Sequence, residues 1–426
     1  MSASSVAKRR AQPSARRTAL AALRAWRTEK RFADSVIAKL LAQTELDVRD
    51  RAFTLELFYG VLRNATLLDF WIGCLRKSPL DVDLRDLLRL GLYQLFFLKT
   101  PEHAAVHETV ELAPKSRRAL INAILRTAAR RQDELRSQAN AQCLAIRTSH
   151  PRFLVARWEQ NFGPQAAEAL CTWNNRPPPL YARINRLKIG RETFRRAYPE
   201  SRPLSGNPHF VEFHTFPTEA LAQGHCYIQD PSTAIACQLL DPQPGEKILD
   251  VCAAPGGKTS HIAELMRNRG GIVACDRAAE RVRVLEENLA RLGAGIARVF
   301  RFDWTCGRIP KEIVAIAPFD RVLIDAPCSN TGVMRRRVDV RWRIRAADFV
   351  RMQKQQLKIV RTALGLLKTG GVLVYSTCSL EPEENEKVVQ QLLREFANSR
   401  RMEVQSSLPF RDGFDGAFAA KLIRTG

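Results

Sequence analysis

Two cysteines in this 426-residue chain each follow a short apolar segment. Cys328 lies in the motif D-A-P-C-S, directly after Val322-Leu323-Ile324, and Cys378 lies in T-C-S, shortly after Val372-Leu373-Val374. Apolar runs of this length are typical of buried strands, and open α/β sheets place their chemistry just beyond the carboxyl ends of their strands. A deprotonated cysteine is a nucleophile and also a fair leaving group. The two segments therefore predict a pair of functional thiols at one edge of a sheet.

A turn of small residues precedes both cysteines, with the sequence D-V-C-A-A-P-G-G-K-T over residues 250–259. It follows the apolar run Lys247-Ile248-Leu249 and leads into a helical segment at 260–265, which predicts a strand, a tight turn and a helix in succession. Gly256 and Gly257 have no Cβ, so the backbone can pass close to a ligand. This arrangement is typical of the first βα unit of a nucleotide-binding sheet. Neither G-x-G-x-x-G nor the full phosphate-loop pattern is present, so the turn alone does not identify the ligand.

Acidic residues end two further predicted strands. Asp276 follows Ile272–Cys275, about twenty residues after the glycines, where a carboxylate can accept hydrogen bonds from two ribose hydroxyls. Asp303 follows Val299–Phe302 in the same manner, although a lone acid at such a position is more often a cap. Asp276 therefore extends the predicted nucleotide site along the sheet edge, whereas Asp303 taken alone predicts a cap.

Together, the glycine turn, D-A-P-C-S and T-C-S resemble the RNA cytosine-C5 methyltransferases of the NOL1/NOP2/Sun family. The resemblance covers most of the chain and implies a Rossmann-like domain that uses S-adenosylmethionine. It implies that the cofactor is bound by Cys252, Ala253, Ala254, Pro255, Gly256, Gly257, Lys258, Asp276, Arg281, Asp303 and Asp325.

The resemblance also assigns roles to the cysteines. A thiolate that adds to C6 of cytosine makes C5 nucleophilic, and it must later leave. DNA cytosine methyltransferases use a Pro-Cys for this step, which would select Cys328. The RNA family uses the cysteine of T-C-S, which selects Cys378 as nucleophile and Cys328 for product release. Asp325 would then hold the N4 amino group of the base, and Lys258 would orient Asp325 or stabilise negative charge on the ring.

Basic residues favour a nucleic-acid partner. The chain has 67 Lys and Arg against 44 Asp and Glu, a net charge of +23. A basic cluster with an aromatic residue follows Cys328 and predicts an RNA clamp of phosphate pairing and base stacking, formed by Arg335, Arg336, Arg337, Arg341 and Trp342. The sequence departs from the family pattern at two places here. Asn330 replaces the usual Gly of S-G-T-G, and Arg337-Val338 replaces a common His-Pro; because Asn tolerates positive φ, we expect the loop to keep its shape.

The rest of the chain predicts four regions. Residues 1–17 are expected to form a disordered basic arm, with a transit peptide as the alternative. Residues 18–145 have helical periodicity and resemble the NusB-like RNA-binding domain of the RsmB/Sun branch. Residues 146–229 are expected to form an α+β linker that contacts RNA. Residues 230–426 are expected to form a doubly wound, mostly parallel catalytic sheet, closed by a C-terminal hairpin.

The RsmB/Sun resemblance implies methylation of cytosine C5 in small-subunit (16S) ribosomal RNA. Two alternatives stay open: a transfer-RNA methyltransferase of the same superfamily, and a non-catalytic RNA-binding factor with a degenerate methyltransferase body. The chain contains no apolar run of membrane-spanning length, which predicts no membrane partner. Its ten cysteines include no C-x-x-C pair, which predicts no metal site. The protein is also expected to be cytoplasmic and monomeric.

Overall fold

The computed structural model describes residues 14–396 and 399–425 and divides them into two compact units. The helical unit comprises the described residues up to Arg176 together with Arg337–Arg343, and the sheet unit comprises Pro177–Arg336 and the chain from Ile344 onward. Most of the predicted basic arm lies outside the described residues. Its last residues do not continue the arm, because Ser14 accepts a hydrogen bond from Arg17 N and caps a helix that begins at Ala15.

The N-terminal part of the helical unit consists of α-helices and one short 3-10 turn in the described residues, which confirms the predicted all-α domain. Apolar side chains at helical spacing, such as Leu57 and Val61 or Leu88 and Leu92, are buried in one core. The helices are α1 (Ala15–Thr28), α2 (Ala33–Ala42), α3 (Val48–Arg63), α4 (Ala65–Leu75), α5 (Val82–Phe97), α6 (Glu102–Glu111), α7 (Arg118–Arg130), α8 (Gln132–Asn140), α9 (Leu144–Arg147), α10 (Arg152–Phe162) and α11 (Pro164–Asn174).

The sheet unit begins with a small antiparallel sheet of strand order β2-β3-β1-β4. Its elements are β1 (Leu180–Ile184), α12 (Arg191–Ala197), β2 (Arg202–Leu204), β3 (Asn207–Phe213), α13 (Thr218–Ala222) and β4 (Cys226–Ile228). The region predicted as a single linker, 146–229, is therefore divided, because α10 and α11 belong to the helical unit and these strands to the sheet unit.

The large sheet has seven strands in the described residues, in the order β10-β11-β9-β8-β5-β6-β7. Strands β5 to β9 are parallel to their neighbours in this group, whereas β11 is antiparallel to both β9 and β10. The elements are α14 (Ala234–Leu240), β5 (Lys247–Asp250), α15 (Gly257–Leu265), β6 (Gly271–Asp276), α16 (Ala279–Leu292), β7 (Ala297–Arg301), α17 (Lys311–Ile316), β8 (Phe319–Asp325), α18 (Val340–Arg343, in the helical unit), α19 (Ala346–Leu364), β9 (Leu367–Thr377), α20 (Glu386–Glu395), β10 (Ser399–Ser407), α21 (Pro409–Asp412) and β11 (Ala417–Arg424).

This strand order confirms the predicted doubly wound, mostly parallel sheet. The order reverses between β5 and β8, and such a reversal opens a crevice outside the carboxyl ends of the two strands. The C-terminal hairpin, predicted near 414–423, is formed by β10 and β11 and therefore begins earlier, at Ser399. None of the helices within the described residues combines the length and hydropathy of a membrane-spanning segment.

The small sheet is attached to the large one through a buried arginine. Arg183 of β1 donates to Gln229 Oε1 at 2.8 Å, to Ser260 Oγ at 2.9 Å and to Gly257 O at 3.2 Å, and it forms an ion pair with Glu264. Ser260, Gly257 and Glu264 all lie on α15, the helix that follows the glycine turn. Because a buried guanidinium without these acceptors would be costly, β1 is held against the start of α15.

A second buried arginine holds residues 337–343 in the helical unit. Arg341 of α18 is fully buried and donates to Asn175 Oδ1 at 2.7 Å, to Asn174 O at 3.0 Å, and to the carbonyl groups of Ser149 and Arg63. Burial, together with the charge of Arg63, lowers the pKa of Arg341 to about 9. The adjacent Trp342 donates from its indole nitrogen to Leu62 O at 2.8 Å. Hydrogen bonds to carbonyl oxygens thus fix this segment.

Replacing Arg341 by Ala is expected to destabilise the protein by about 3 kcal/mol or more, because the acceptors it satisfies would be left buried and unpaired. Arg337→Ala, a change at an exposed residue of the same segment, is the matched control and should cost less than about 0.5 kcal/mol. Chemical denaturation of both variants measures the difference. Equal losses would show that the buried hydrogen bonds of Arg341 do not stabilise the segment.

Candidate active site

The loops after β8 and β9 bring the two predicted cysteines into contact. The Sγ atoms of Cys328 and Cys378 lie 3.3 Å apart, and both residues are free thiols. Cys328 is buried, whereas Cys378 is partly exposed. Backbone hydrogen bonds continue beyond the strand ends, since Ala326 N donates to Ser376 O at 2.8 Å and Gly332 N to Cys378 O at 2.9 Å. The prediction that both thiols lie at one sheet edge is therefore confirmed.

Asn330 shapes the loop that carries Cys328. Its backbone has φ +60° and ψ +27°, the left-handed conformation that was expected to tolerate Asn in place of Gly. Its amide nitrogen Nδ2 donates to Cys328 O at 2.9 Å, and its Oδ1 accepts from Cys378 Sγ at 3.2 Å. The hydrogen bond to Cys378, followed by burial, raises the pKa of the Cys328 thiol well above its usual value. Cys328 is therefore a protonated thiol near neutral pH.

A buried glutamate that sequence reasoning missed supports both cysteine loops. Glu384 Oε2 accepts from Ser329 N at 2.9 Å and from Gln356 Nε2 at 3.0 Å, while Oε1 accepts from Ser379 Oγ at 2.8 Å. Burial raises the pKa of this carboxyl group. Ser329 and Ser379 are the residues that follow the two cysteines, and their hydroxyl oxygens lie 3.1 Å apart. The acidic run P-E-E-N-E gives no signal by itself, because acids before a helix are usually exposed.

An ion pair joins the glycine turn to the end of β8. Lys258 Nζ, in the first turn of α15, lies 2.7 Å from Asp325 Oδ2, and Asp325 Oδ1 accepts from Ser376 Oγ at 2.9 Å. Burial would lower the pKa of Lys258, but the carboxylate of Asp325 outweighs it and the pKa is raised. The side chain of Asp325 remains 34% exposed. Asp325 can thus accept a further hydrogen bond from a ligand.

The glycine turn packs too closely for larger residues. Gly256 has φ +105°, and a Cβ at Gly257 would lie 2.7 Å from the ring of Tyr227 in β4. Arg281 donates to Ala254 O, which holds the turn against α16. The other predicted residues of the turn differ in exposure. Cys252 is partly buried, Ala253 and Ala254 are buried, and Pro255 is exposed.

The two predicted acids differ in what they bond. Asp276 is buried at the end of β6, where Oδ1 accepts from Ala278 N at 3.2 Å and Oδ2 lies 3.3 Å from Arg281 Nη1. Asp303 Oδ1 accepts from both Thr305 N and Thr305 Oγ1, and this hydrogen bonding lowers the pKa of Asp303. One oxygen of Asp303 thus caps a turn. This agrees with the cap that its position in the sequence predicts when it is considered alone.

Asp250 is a third acid at this edge, and sequence reasoning did not assign it a role. It is fully buried at the end of β5, and Oδ2 accepts from Thr259 Oγ1 at 2.7 Å. Its Oδ1 is buried and has no hydrogen-bond partner among the described residues. Burial raises the pKa of this carboxyl group to about 7. Asp250 could have been predicted as a site residue, because it is the last residue of an apolar strand that leads into the glycine turn.

The structure corrects the expected RNA clamp. Arg335 and Arg336 form ion pairs with Asp230 and Asp415, and Arg336 also donates to Pro179 O. Arg341 and Trp342 are bound to carbonyl groups of the helical unit, as described above. Of the five predicted residues, Arg337 alone is exposed. The cluster is therefore largely internal, because its guanidinium groups neutralise buried carboxylates or satisfy buried carbonyls.

Comparison with known proteins gives matches over nearly the whole chain. The family model described as 16S rRNA methyltransferase RsmB/F matches residues 237–423, the NusB family model matches 13–130, and the ferredoxin-like domain of RsmF/B-like methyltransferases matches 150–200. Ribosomal RNA small subunit methyltransferase B of Serratia proteamaculans is 37% identical over 406 residues, covering 90% of this chain and 92% of that protein.

Two solved structures from Pyrococcus horikoshii share the fold of much of the chain. A methyltransferase homolog protein has a TM-score of 0.58 at 29% identity and covers 66% of this chain and 97% of its own. NSun6, crystallised with SFG, has a TM-score of 0.58 at 23% identity and covers 65% of this chain and 98% of its own.

The seven-stranded sheet, the glycine turn and these matches define a Rossmann-like methyltransferase that acts on RNA. More particularly, the chain belongs to the RsmB/F family of 16S rRNA methyltransferases, with a NusB domain at its amino-terminal end.

The raised pKa of Asp250 predicts a pH dependence of stability. Because the folded-state pKa of about 7 lies above the usual 3.8, the folded protein binds more protons between these values. The contribution of Asp250 to stability is therefore largest below pH 4 and falls, by up to about 4 kcal/mol, as pH rises through 7. The stability of Asp250→Asn relative to the unchanged protein should therefore rise progressively from about pH 4 to 7 and level off above pH 7.

Urea denaturation at several pH values measures this difference, with Glu287→Gln on the exposed side of α16 as the control. Parallel curves for Asp250→Asn and the unchanged protein would contradict a raised pKa at Asp250.

Proposed function

We propose that this protein methylates C5 of cytosine in small-subunit ribosomal RNA, using S-adenosylmethionine and a covalent bond from Cys378 to C6. The observation that carries the proposal is the pair of free thiols 3.3 Å apart, beside the Lys258–Asp325 ion pair. The name of the Serratia relative supports small-subunit ribosomal RNA as the substrate, and the NusB match supports it over transfer RNA. The intact cysteines favour an enzyme over a non-catalytic RNA-binding factor.

The residues at the sheet edge fit the proposed cofactor. S-adenosylmethionine carries a sulfonium, an amino group and ribose hydroxyls, and when bound it supplies an electrophilic methyl group. Carboxylates at this edge offer the matching acceptors: Asp250 with one unpartnered buried oxygen, Asp276, and the partly exposed Asp325. The solved structure of NSun6 with SFG, an analogue of this cofactor, also supports the assignment.

Each residue of the cofactor site has a proposed role. Asp276 would accept hydrogen bonds from the ribose hydroxyls, with Arg281 holding its carboxylate. Asp303 would lie on the adenine side, using the oxygen that Thr305 leaves free. The turn over Cys252–Gly257 would approach the ligand through its backbone, because side chains are small there.

Cys378 is the proposed nucleophile. Its thiolate would add an electron pair to C6 of cytosine, which makes C5 nucleophilic. C5 would accept the methyl group that S-adenosylmethionine supplies, and the methyl–sulfur bond would break with its electron pair kept by the sulfur of the cofactor. A base then removes the C5 proton, the C5–C6 double bond reforms, and the electron pair of the S–C6 bond returns to sulfur. Cys328, whose thiol pKa is raised, is proposed to assist this second stage rather than the attack.

Asp325 and Lys258 are proposed to orient the base. The exposed part of the Asp325 carboxylate can accept a hydrogen bond from the cytosine N4 amino group, which distinguishes cytosine from uracil. Lys258 holds that carboxylate from the side of the glycine turn. Its ammonium charge also favours negative charge on the reacting groups nearby.

Cofactor affinity tests the role of Asp276. Asp276→Ala removes a charged acceptor, so binding of S-adenosylmethionine should weaken by roughly 1.5–3 kcal/mol, about tenfold to a hundredfold. Isothermal titration calorimetry measures this, with Glu280→Ala in the exposed first turn of α16 as the control. Unchanged affinity would mean that Asp276 serves only to cap the turn at Ala278.

Denaturing gels separate the roles of the cysteines. Cys378→Ala should abolish methyl transfer and form no covalent complex, because addition cannot occur without the nucleophile. Cys328→Ala should still attack and transfer the methyl group, and then accumulate as a slowly migrating protein–RNA band. Cys306→Ala, at an exposed thiol, is the control.

A slow band from Cys378→Ala instead would reverse the two roles. Mapping of 5-methylcytosine in small-subunit ribosomal RNA, from cells with and without the gene, tests the reaction as a whole. Identical maps would overturn the proposed substrate.

A further inference from the structure

One side chain contacts both halves of the thiol pair. Asn330 Oδ1 lies 3.2 Å from Cys378 Sγ, Nδ2 lies 2.9 Å from Cys328 O, and its backbone N–H donates toward the sulfur of Cys328. The left-handed backbone of Asn330 turns its side chain back over the cysteine pair. One amide group thus bonds to both cysteines.

The orientation of the Asn330 amide follows from its partners. The carbonyl oxygen of Cys328 can only accept, so the group facing it must be the NH2 of Asn330. A flipped amide would place two carbonyl oxygens against each other. Oδ1 therefore faces Cys378, and because an amide oxygen can only accept, the sulfur of Cys378 must carry the proton in this arrangement.

We propose that Asn330 is a positioning residue that holds Cys378 as a resting thiol, with its sulfur against Cys328, in the enzyme free of substrate. The geometry assigns this restraint to the Asn330 side chain. Glycine, the usual residue at this position in the family that the sequence resembles, would lack it. The significance of the restraint rests on the proposed role of Cys378 as nucleophile, but the restraint itself is a property of the free protein.

The charged groups around the sulfurs do not make this restraint redundant. The ammonium of Lys258 favours a thiolate at Cys378, with which it interacts electrostatically. The hydrogen bond to Cys378, burial and the charge of Glu384 all raise the pKa of the neighbouring Cys328 thiol. Loss of the Asn330 acceptor would leave Lys258 to shift the balance toward thiolate.

Asn330→Gly tests the proposal, because glycine keeps the left-handed backbone and removes only the side chain. The probe is iodoacetamide, applied to the full-length protein without RNA or cofactor over about pH 6 to 10, with the alkylation of each cysteine measured by peptide mass spectrometry. We expect alkylation of Cys378 at neutral pH to become about fivefold faster, because the thiol loses the acceptor that restrains it.

Asn268→Gly is the matched control. Asn268 also has positive φ, at 55°, and donates from Nδ2 to a backbone carbonyl, that of Gly293 at 3.0 Å, but it lies between α15 and β6 away from the thiols. This variant should leave the alkylation profile of Cys378 unchanged. The exposed Cys143 and Cys306 serve as internal references for reagent reactivity in every sample.

Two results would overturn the proposal. An unchanged profile at Cys378 in Asn330→Gly would show that the side chain does not hold the thiol. Equal acceleration at Cys328 and Cys378, with a lowered melting temperature, would show that the substitution merely loosens the loop. Because the readout requires neither RNA nor methyl transfer, either result would leave the proposed methyltransferase function to be judged by its own tests.

Discussion

The parallel pairing of β8 with β9 is the constraint on which the site depends. In this register Asp325 lies beside Ser376, so the two strands end at nearly the same height. The hydrogen bonds Ala326 N to Ser376 O and Gly332 N to Cys378 O then carry the pairing into the loops. Parallel strands present their carboxyl ends at one edge, and only for that reason can residues 50 positions apart in sequence bring their sulfurs into contact.

Buried charge fixes the groups that this pairing brings together. Glu384 binds the residue after each cysteine, and Lys258 binds Asp325 from the opposite side of the strand pair. Removal of either charge would leave its partners desolvated without compensation, so the loops have little freedom to separate. The thiol pair and the Lys258–Asp325 ion pair thus form a preorganised arrangement at this sheet edge.

The sequence predicted most of the sheet because its signals are local. The bounds of β5 and β6 agree with the predicted strands, and the thiol pair followed from two motifs at strand ends. The roles of Arg336 and Arg341 could not be predicted in this way. An arginine beside other arginines looks the same in sequence whether it meets phosphate or a buried carboxylate, and the partners here, Asp230 and Asp415, lie 106 and 79 residues from Arg336. Asp250 and Glu384 were missed for the same reason, since burial of an acid is decided by tertiary packing.

The segment that follows the Cys328 loop passes from the sheet unit into the helical unit at Arg337. Arg335 and Arg336 fix the end of the Cys328 loop inside the sheet unit, and the very next residues enter the helical unit, where Arg341 and Trp342 bind its carbonyl groups. A chain without residues 1–176 would lack the acceptors of Arg341 and Trp342. The guanidinium of Arg341 and the indole of Trp342 would then have no partners. The helical unit is therefore required to provide partners for the residues that follow the Cys328 loop.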